Sequence, residues 1–129
     1  MVGIVWDQHG RVLVNQRLPG THMAGHWEFP GGKRSKNEDA RAALERELCE
    51  ELGIEVLAAK PLVDLTHDYP DRRVRLDVWT VLEYRGHPTG RDGQALDWVL
   101  PAALESAGLL PADKPIVDWL RDHDGPGPS

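Results

Sequence analysis

Apolar and polar residues alternate with two different periods along this chain. Residues 2–6 form a short apolar run, and Asp7-Gln8-His9-Gly10 reads as a turn, with Gly10 free to take a positive φ. Residues 11–17 then alternate, Val12 and Val14 against Arg11, Leu13 and Asn15, so the two runs predict a β-hairpin. Residues 19–32 hold Pro19, Gly20, Pro30 and the pair Gly31-Gly32, which predicts an irregular stretch. Residues 38–52 contain no Gly or Pro and are rich in Ala, Leu, Glu and Arg, the strong helix formers. Leu44, Leu48 and Leu52 recur every fourth residue as one buried stripe, and Gly53 follows as a C-terminal cap. Two short strands are expected at 54–58 and 61–66. A longer one is expected at 72–84, where Val74, Leu76, Val78 and Thr80 oppose Arg73, Arg75 and Asp77 as in a half-exposed antiparallel strand. A loop at 86–93, a strand at 95–100 and two short helices, one from Pro101 and one from about Lys114 to Arg121, complete the reading. Helices inserted irregularly among strands predict an α+β fold.

A chain of 129 residues holds one core, so a single domain over 1–123 is expected, with GPGPS inside a flexible tail at 124–129. A chain 40% hydrophobic and 28% charged has a globular balance, not that of a disordered segment. The net charge of −6 argues against a broad basic face for a nucleic-acid polymer. No apolar run is long enough to cross a bilayer, and the first residues turn polar too soon for a signal peptide. The lone Cys49 has no disulfide partner within the chain and is expected to be buried and inert. These features predict a cytoplasmic protein acting on a small molecule or another protein.

Candidate chemistry lies on the helix. Glu47, Glu50 and Glu51 share one face at i, i+3 and i+4, where like charges repel by a few tenths of a kcal/mol per pair. Two readings are open. A solvated face would pair Arg46 with Glu50 and Arg41 with Glu45. Alternatively, three clustered carboxylates suit a hard divalent cation such as Mg²⁺. The preceding GGKRSKNE favours the second, because glycine amides and nearby cations suit phosphate.

Gly32, five residues, Glu38, seven residues, then Arg46-Glu47-Leu48-Cys49-Glu50-Glu51-Leu52-Gly53-Ile54 resembles the complete Nudix box. Seven fixed residues and two apolar positions agree, which average composition would produce on the order of once in 10⁸. HMAGHWEFPGGK, YPDRRVRLDVW, GRDGQ and LPADKPIV resemble segments of the MutT branch of that family, so the likeness covers nearly the whole chain. It implies the Nudix α/β/α sandwich, a mixed sheet between helices. It also implies a nucleoside triphosphate pyrophosphohydrolase that converts 8-oxo-dGTP to 8-oxo-dGMP and pyrophosphate. No protein partner is implied.

By the same resemblance, Glu47, Glu50 and Glu51 would bind Mg²⁺, or Mn²⁺ in its place, with the Gly31 carbonyl as a further ligand. Glu38 would support them, and Arg46 would hold the carboxylates in place. Glu47 and then Asp92 are the candidates for activating water. Asp92 stands where the branch usually has Glu, and a turn residue before Gly93 is the other reading. Gly32 and Lys33 would approach phosphate. Phe29 packs on the base or in the core, and Arg17 and Arg72 approach the ligand or remain solvated. Asp113 replaces the usual Asn. It accepts hydrogen bonds from guanine or cytosine, donates if protonated, or simply caps the helix before Lys114-Pro115. CTP or modified dCTP, or a broad substrate range, is the alternative activity, and a non-catalytic nucleotide-binding module is the rival class. The five tryptophans are expected in the core and pocket walls, and His22 and His26 in loops.

Overall fold

The computed structural model describes residues 1–123; the expected tail at 124–129 lies outside the described residues. The elements are β1 (Val2–Val5), β2 (Val12–Gln16), β3 (Trp27–Glu28), α1 (Ala40–Leu52), β4 (Glu55–Tyr69), β5 (Arg72–Arg85), β6 (Leu96–Val99) and α2 (Lys114–Asp122). Short 3₁₀ helices cover Pro101–Ser106 and Pro111–Asp113. One sheet is mixed, in the order β1-β5-β4, with β1 parallel to β5 and β4 antiparallel to it. The other is antiparallel, in the order β3-β2-β6.

The expected hairpin is corrected here. Its turn closes: the Asp7 carboxylate accepts from the His9 and Arg11 N–H groups at 2.8 Å each. Beyond a single bridge between Trp6 and Val12, however, β1 and β2 part into different sheets. All of β1 is buried, and so are Val12 through Asn15, Leu13 and Asn15 included. Strands buried on both faces need layers on both sides, which a two-stranded ribbon does not offer. The two strands expected at 54–58 and 61–66 are one strand, β4, with register shifts from Val56 to Val63. Pro61 is tolerated because β4 lies at the sheet edge and the bulges absorb the irregularity.

Alternate residues of β1 and β2 feed two cores. Val2, Ile4, Val12 and Val14 join Phe29, Leu76, Val78, Leu104, Ile116, Val117 and Leu120 beneath α2. Val5 and Leu13 join Leu44, Leu48, Leu52, Ile54 and Val81 beneath α1. This is the layered helix–sheet–helix arrangement. Helix α1 is capped by the Asp39 carboxylate, which accepts from Ala42 N–H, and ends at Gly53 with φ 71°. Cys49, expected to be buried, is exposed. One residue beyond Leu48, it is turned about 100° away from the leucine stripe. Of the tryptophans, Trp6 is buried in the core, and the half-buried Trp27, Trp79, Trp98 and Trp119 pack against the two clusters.

Candidate functional site

Arg46 is the hub of the acidic face of α1. Its guanidinium forks onto both oxygens of Glu38, at 2.8 and 2.9 Å, and donates to the Lys33 carbonyl at 3.0 Å. It also reaches Glu47 at 3.0 Å and Glu50 at 3.4 Å. These bonds, with one from Ser35 N–H, hold the Glu38 carboxyl down to about 2. Both Glu38 oxygens are thus occupied, and its contact to the other carboxylates runs through Arg46. Glu50 leaves most of its side chain, 60%, in solvent.

The glycine segment is fastened to the start of the chain. Gly32 N–H donates to the Met1 carbonyl at 3.0 Å, and Gly3 N–H donates to the Pro30 carbonyl at 2.9 Å. Gly31 sits at φ 154°, and a Cβ there would lie 2.0 Å from the Met1 carbonyl oxygen, so only glycine fits. A Cβ on Gly32 would lie 2.3 Å from the Glu47 carboxyl group. The backbone therefore passes directly over the acidic helix, and Gly31 N–H donates to Glu51 at 3.2 Å. Burial first, then the charges of Glu47, Glu28 and Asp92, push the Glu51 carboxyl up to about 7 against that hydrogen bond.

Glu51 opens onto a cavity of about 460 Å³. Arg17, Phe29, Gly31, Gly32, Lys33, Arg72 and Asp113 also line it. The far end follows from backbone pairing. Trp27 N–H donates to Gly108 and Leu110 N–H donates to Trp27, both at 2.9 Å, which seats the segment leading to Asp113 beside β3. Asp113 is 6% exposed, and its carboxylate accepts from Phe29 N–H at 3.3 Å. It makes no capping hydrogen bond to α2, so the capping reading does not hold. Burial pushes its carboxyl up to about 7, with Glu28 adding to the rise and Phe29 N–H and Arg17 opposing it. Phe29 belongs to the core, as one of its two readings holds, and it also lines the cavity. Arg72 lies over the Tyr69 ring, 5.5 Å from its centre. Asp92 lies instead at a smaller adjoining cavity of about 140 Å³, which shares Arg17, Glu28 and Glu51 with the first.

Sequence reasoning missed Glu28. It lines both cavities, pairs with Arg17 at 3.0 Å and raises both perturbed carboxyls. The available signal was an acid between Trp27 and Phe29, immediately before the glycines. Gln94 lines the smaller cavity as well, and it carries no charge to draw attention in the sequence. Among the described residues, no three His, Cys, Asp or Glu side chains converge closely enough to hold a metal ion. Arg46 draws Glu47 and Glu50 to itself, while Glu51 turns to Gly31. The donors are nevertheless of the right kind for a hard cation: oxygens only, with one of them, Glu51, destabilised as an anion by burial first and by its acidic neighbours after that. No helix among the described residues is long and apolar enough to cross a membrane.

Known proteins resemble this chain over most of its length. Residues 1–119 match the family model described as NUDIX domain. The chain is 33% identical over 120 residues to the 8-oxo-dGTP diphosphatase of Escherichia coli, covering 93% of each chain. It is 35% identical over 118 residues to the CTP pyrophosphohydrolase of the same organism, covering 92% of this chain and 87% of that one. The crystal structure of the MutT NUDIX hydrolase from Burkholderia pseudomallei superposes with a TM-score of 0.80 at 27% identity, over 92% of this chain and 94% of that one.

Proposed function

The chain belongs to the Nudix family, and on that premise we propose that it is a nucleoside triphosphate pyrophosphohydrolase that converts 8-oxo-dGTP to 8-oxo-dGMP and pyrophosphate. The observation that carries this reading is one cavity with two different ends. Gly31, Gly32, Lys33 and Glu51 line one part of it and Phe29 and Asp113 another; on this reading the first part would take the phosphates and the cation and the second the base. Relatives named 8-oxo-dGTP diphosphatase support the substrate.

Nudix hydrolases need a divalent metal, and we assign Mg²⁺, with Mn²⁺ able to replace it. Glu47, Glu50 and Glu51, with the Gly31 carbonyl, would hold it. When bound, it would neutralise charge developing on the triphosphate chain. Arg46 keeps Glu47 and Glu50 on one side of α1. Glu47 or Asp92 takes the proton from the attacking water; the water oxygen joins one phosphorus of the broken anhydride, and the other phosphate leaves with the bridging oxygen. Lys33 and Arg17 offer cations to the phosphates, and Arg72 covers the ligand. A neutral Asp113 donates one hydrogen bond and accepts another, which suits the polar edge of an oxidised guanine. The site is expected to act in the cytoplasm on free nucleotides.

A second reading, CTP or a modified dCTP, has one observation in its favour. Asp113 as an anion accepts from a cytosine amino group, and the CTP pyrophosphohydrolase relative is 35% identical. Competition among 8-oxo-dGTP, dGTP, CTP and 5-methyl-dCTP separates the two by kcat/KM. Retention of Glu47, Glu50 and Glu51 speaks against a non-catalytic module. Glu51→Gln should lose most of kcat while remaining folded, since the amide supplies neither the charge nor a strong oxygen donor. Near-normal turnover by this variant would remove the metal assignment, and no pyrophosphate release from any nucleotide would favour the binding module.

A further inference from the structure

The C-terminus of α1 leaves carbonyls without intrahelical partners, and the loop before β6 supplies the donors. Thr89 N–H donates to the Leu52 carbonyl at 2.9 Å, and Arg91 N–H donates to the Glu51 carbonyl at 3.1 Å. The Gln94 side chain adds a bond of another sort. Its Nε2 also donates to the Glu51 carbonyl, at 3.2 Å, while its Oε1 accepts from Asp92 N–H at 2.9 Å. One carboxamide thus joins the backbone of Glu51 to the backbone of Asp92. The loop is wound tightly to permit this: Gly93 N–H donates back to Gly90 at 2.9 Å, and a Cβ on Gly90 would lie 2.0 Å from the Gln94 carbonyl oxygen. Glu51, Asp92 and Gln94 line the same small cavity.

We propose that Gln94 is a positioning residue for hydrolysis, a two-ended strap that sets the Asp92 carboxylate against Glu51. This rests on the function proposed above. Only an amide serves, because one end must donate and the other accept. Displacement of a reacting group by about 1 Å costs on the order of 100-fold in rate, so a strap of this kind acts on turnover more than on substrate binding.

The test begins with the unmodified protein, whose metal-dependent release of pyrophosphate from 8-oxo-dGTP decides the underlying reading independently. Gln94→Met keeps the length and removes both bonds, and should lower kcat by about 10- to 100-fold with KM little changed. Asp92→Asn should be slow as well, and the double variant D92N/Q94M should be no slower than D92N alone, because Gln94 acts through Asp92. Multiplying losses in the double variant, or normal turnover in either single variant, would overturn the inference. Thr89→Val removes a hydroxyl directed at the same helix end without touching Asp92, and should turn over as the unmodified protein does. An equal loss in Thr89→Val would mean that loosening the helix end is the cause, and the strap would fall. A readout without turnover completes the set: hydrogen exchange of the Asp92 amide should quicken in Gln94→Met and not in Thr89→Val. Unchanged exchange in Gln94→Met would overturn the inference whether or not the protein hydrolyses anything.

Discussion

Asp113 and Glu51 are acids held where their charge is costly. Both carboxyls are pushed up to about 7 by burial, and in a flexible chain each would titrate near 4. A folded-state pKa raised in this way gives stability that is complete below the unfolded value and is lost as pH rises through the folded one. In the metal-free protein, stability should therefore fall between about pH 4 and pH 7, and Asp113 alone accounts for a few kcal/mol of that fall at about 1.4 kcal/mol per unit. Asp113→Asn keeps an acceptor for Phe29 N–H and cannot ionise. It should be more stable than the unmodified protein above pH 7, with a shallower slope of urea midpoint against pH; the Glu51 contribution remains. An unchanged slope would show that Asp113 is not held in this way.

At the scale of elements, the site exists because a glycine segment crosses a helix at contact distance. The helix brings three acids to one face by its 3.6-residue period, and the segment reaches them only where a side chain is missing. Gly32→Ala would put a methyl group 2.3 Å from the Glu47 carboxyl position. The obstructed group is the end of a flexible side chain, so the fold should survive while Glu47 leaves its place beside Arg46. We expect kcat to fall by about 10- to 100-fold with a melting temperature within a few degrees of normal. A melting temperature lowered by about 10 °C or more, with turnover retained per folded molecule, would place the cost in the fold instead.

For the whole molecule, β1 and β2 contribute to both cores, and the cavity is lined from β3, the start of β1 and the β4–β5 hairpin. An acidic cluster on such a frame stores repulsion that a cation relieves. Mg²⁺ should add stability that grows with the logarithm of its concentration above Kd, about 2.7 kcal/mol at one hundred times Kd, and the melting temperature should rise with it. Glu51→Gln should show a smaller rise, and removal of the ion by chelation should reverse it. Equal rises in both proteins would separate the ion from Glu51.

Local information made much of this legible. Leu44, Leu48 and Leu52 mark one face of α1 by spacing alone, and Gly53 marks its end, because helix periodicity and a left-handed cap depend on neighbours a few residues away. The alternating apolar positions of 72–84 likewise reveal β5 before any contact is known. Pairing was not legible in this way. That β1 and β2 separate into two sheets depends on what covers each face, and this is set by residues dozens of positions away. The same distance hid the environment of Asp113, whose neighbours Phe29 and Glu28 lie more than 80 residues earlier, and the role of Gln94, which acquires two partners only once its loop folds onto α1. Charge, period and turn chemistry are written in short stretches of chain; burial and the shift of an acid toward neutrality are properties of the assembled interior, where desolvation acts.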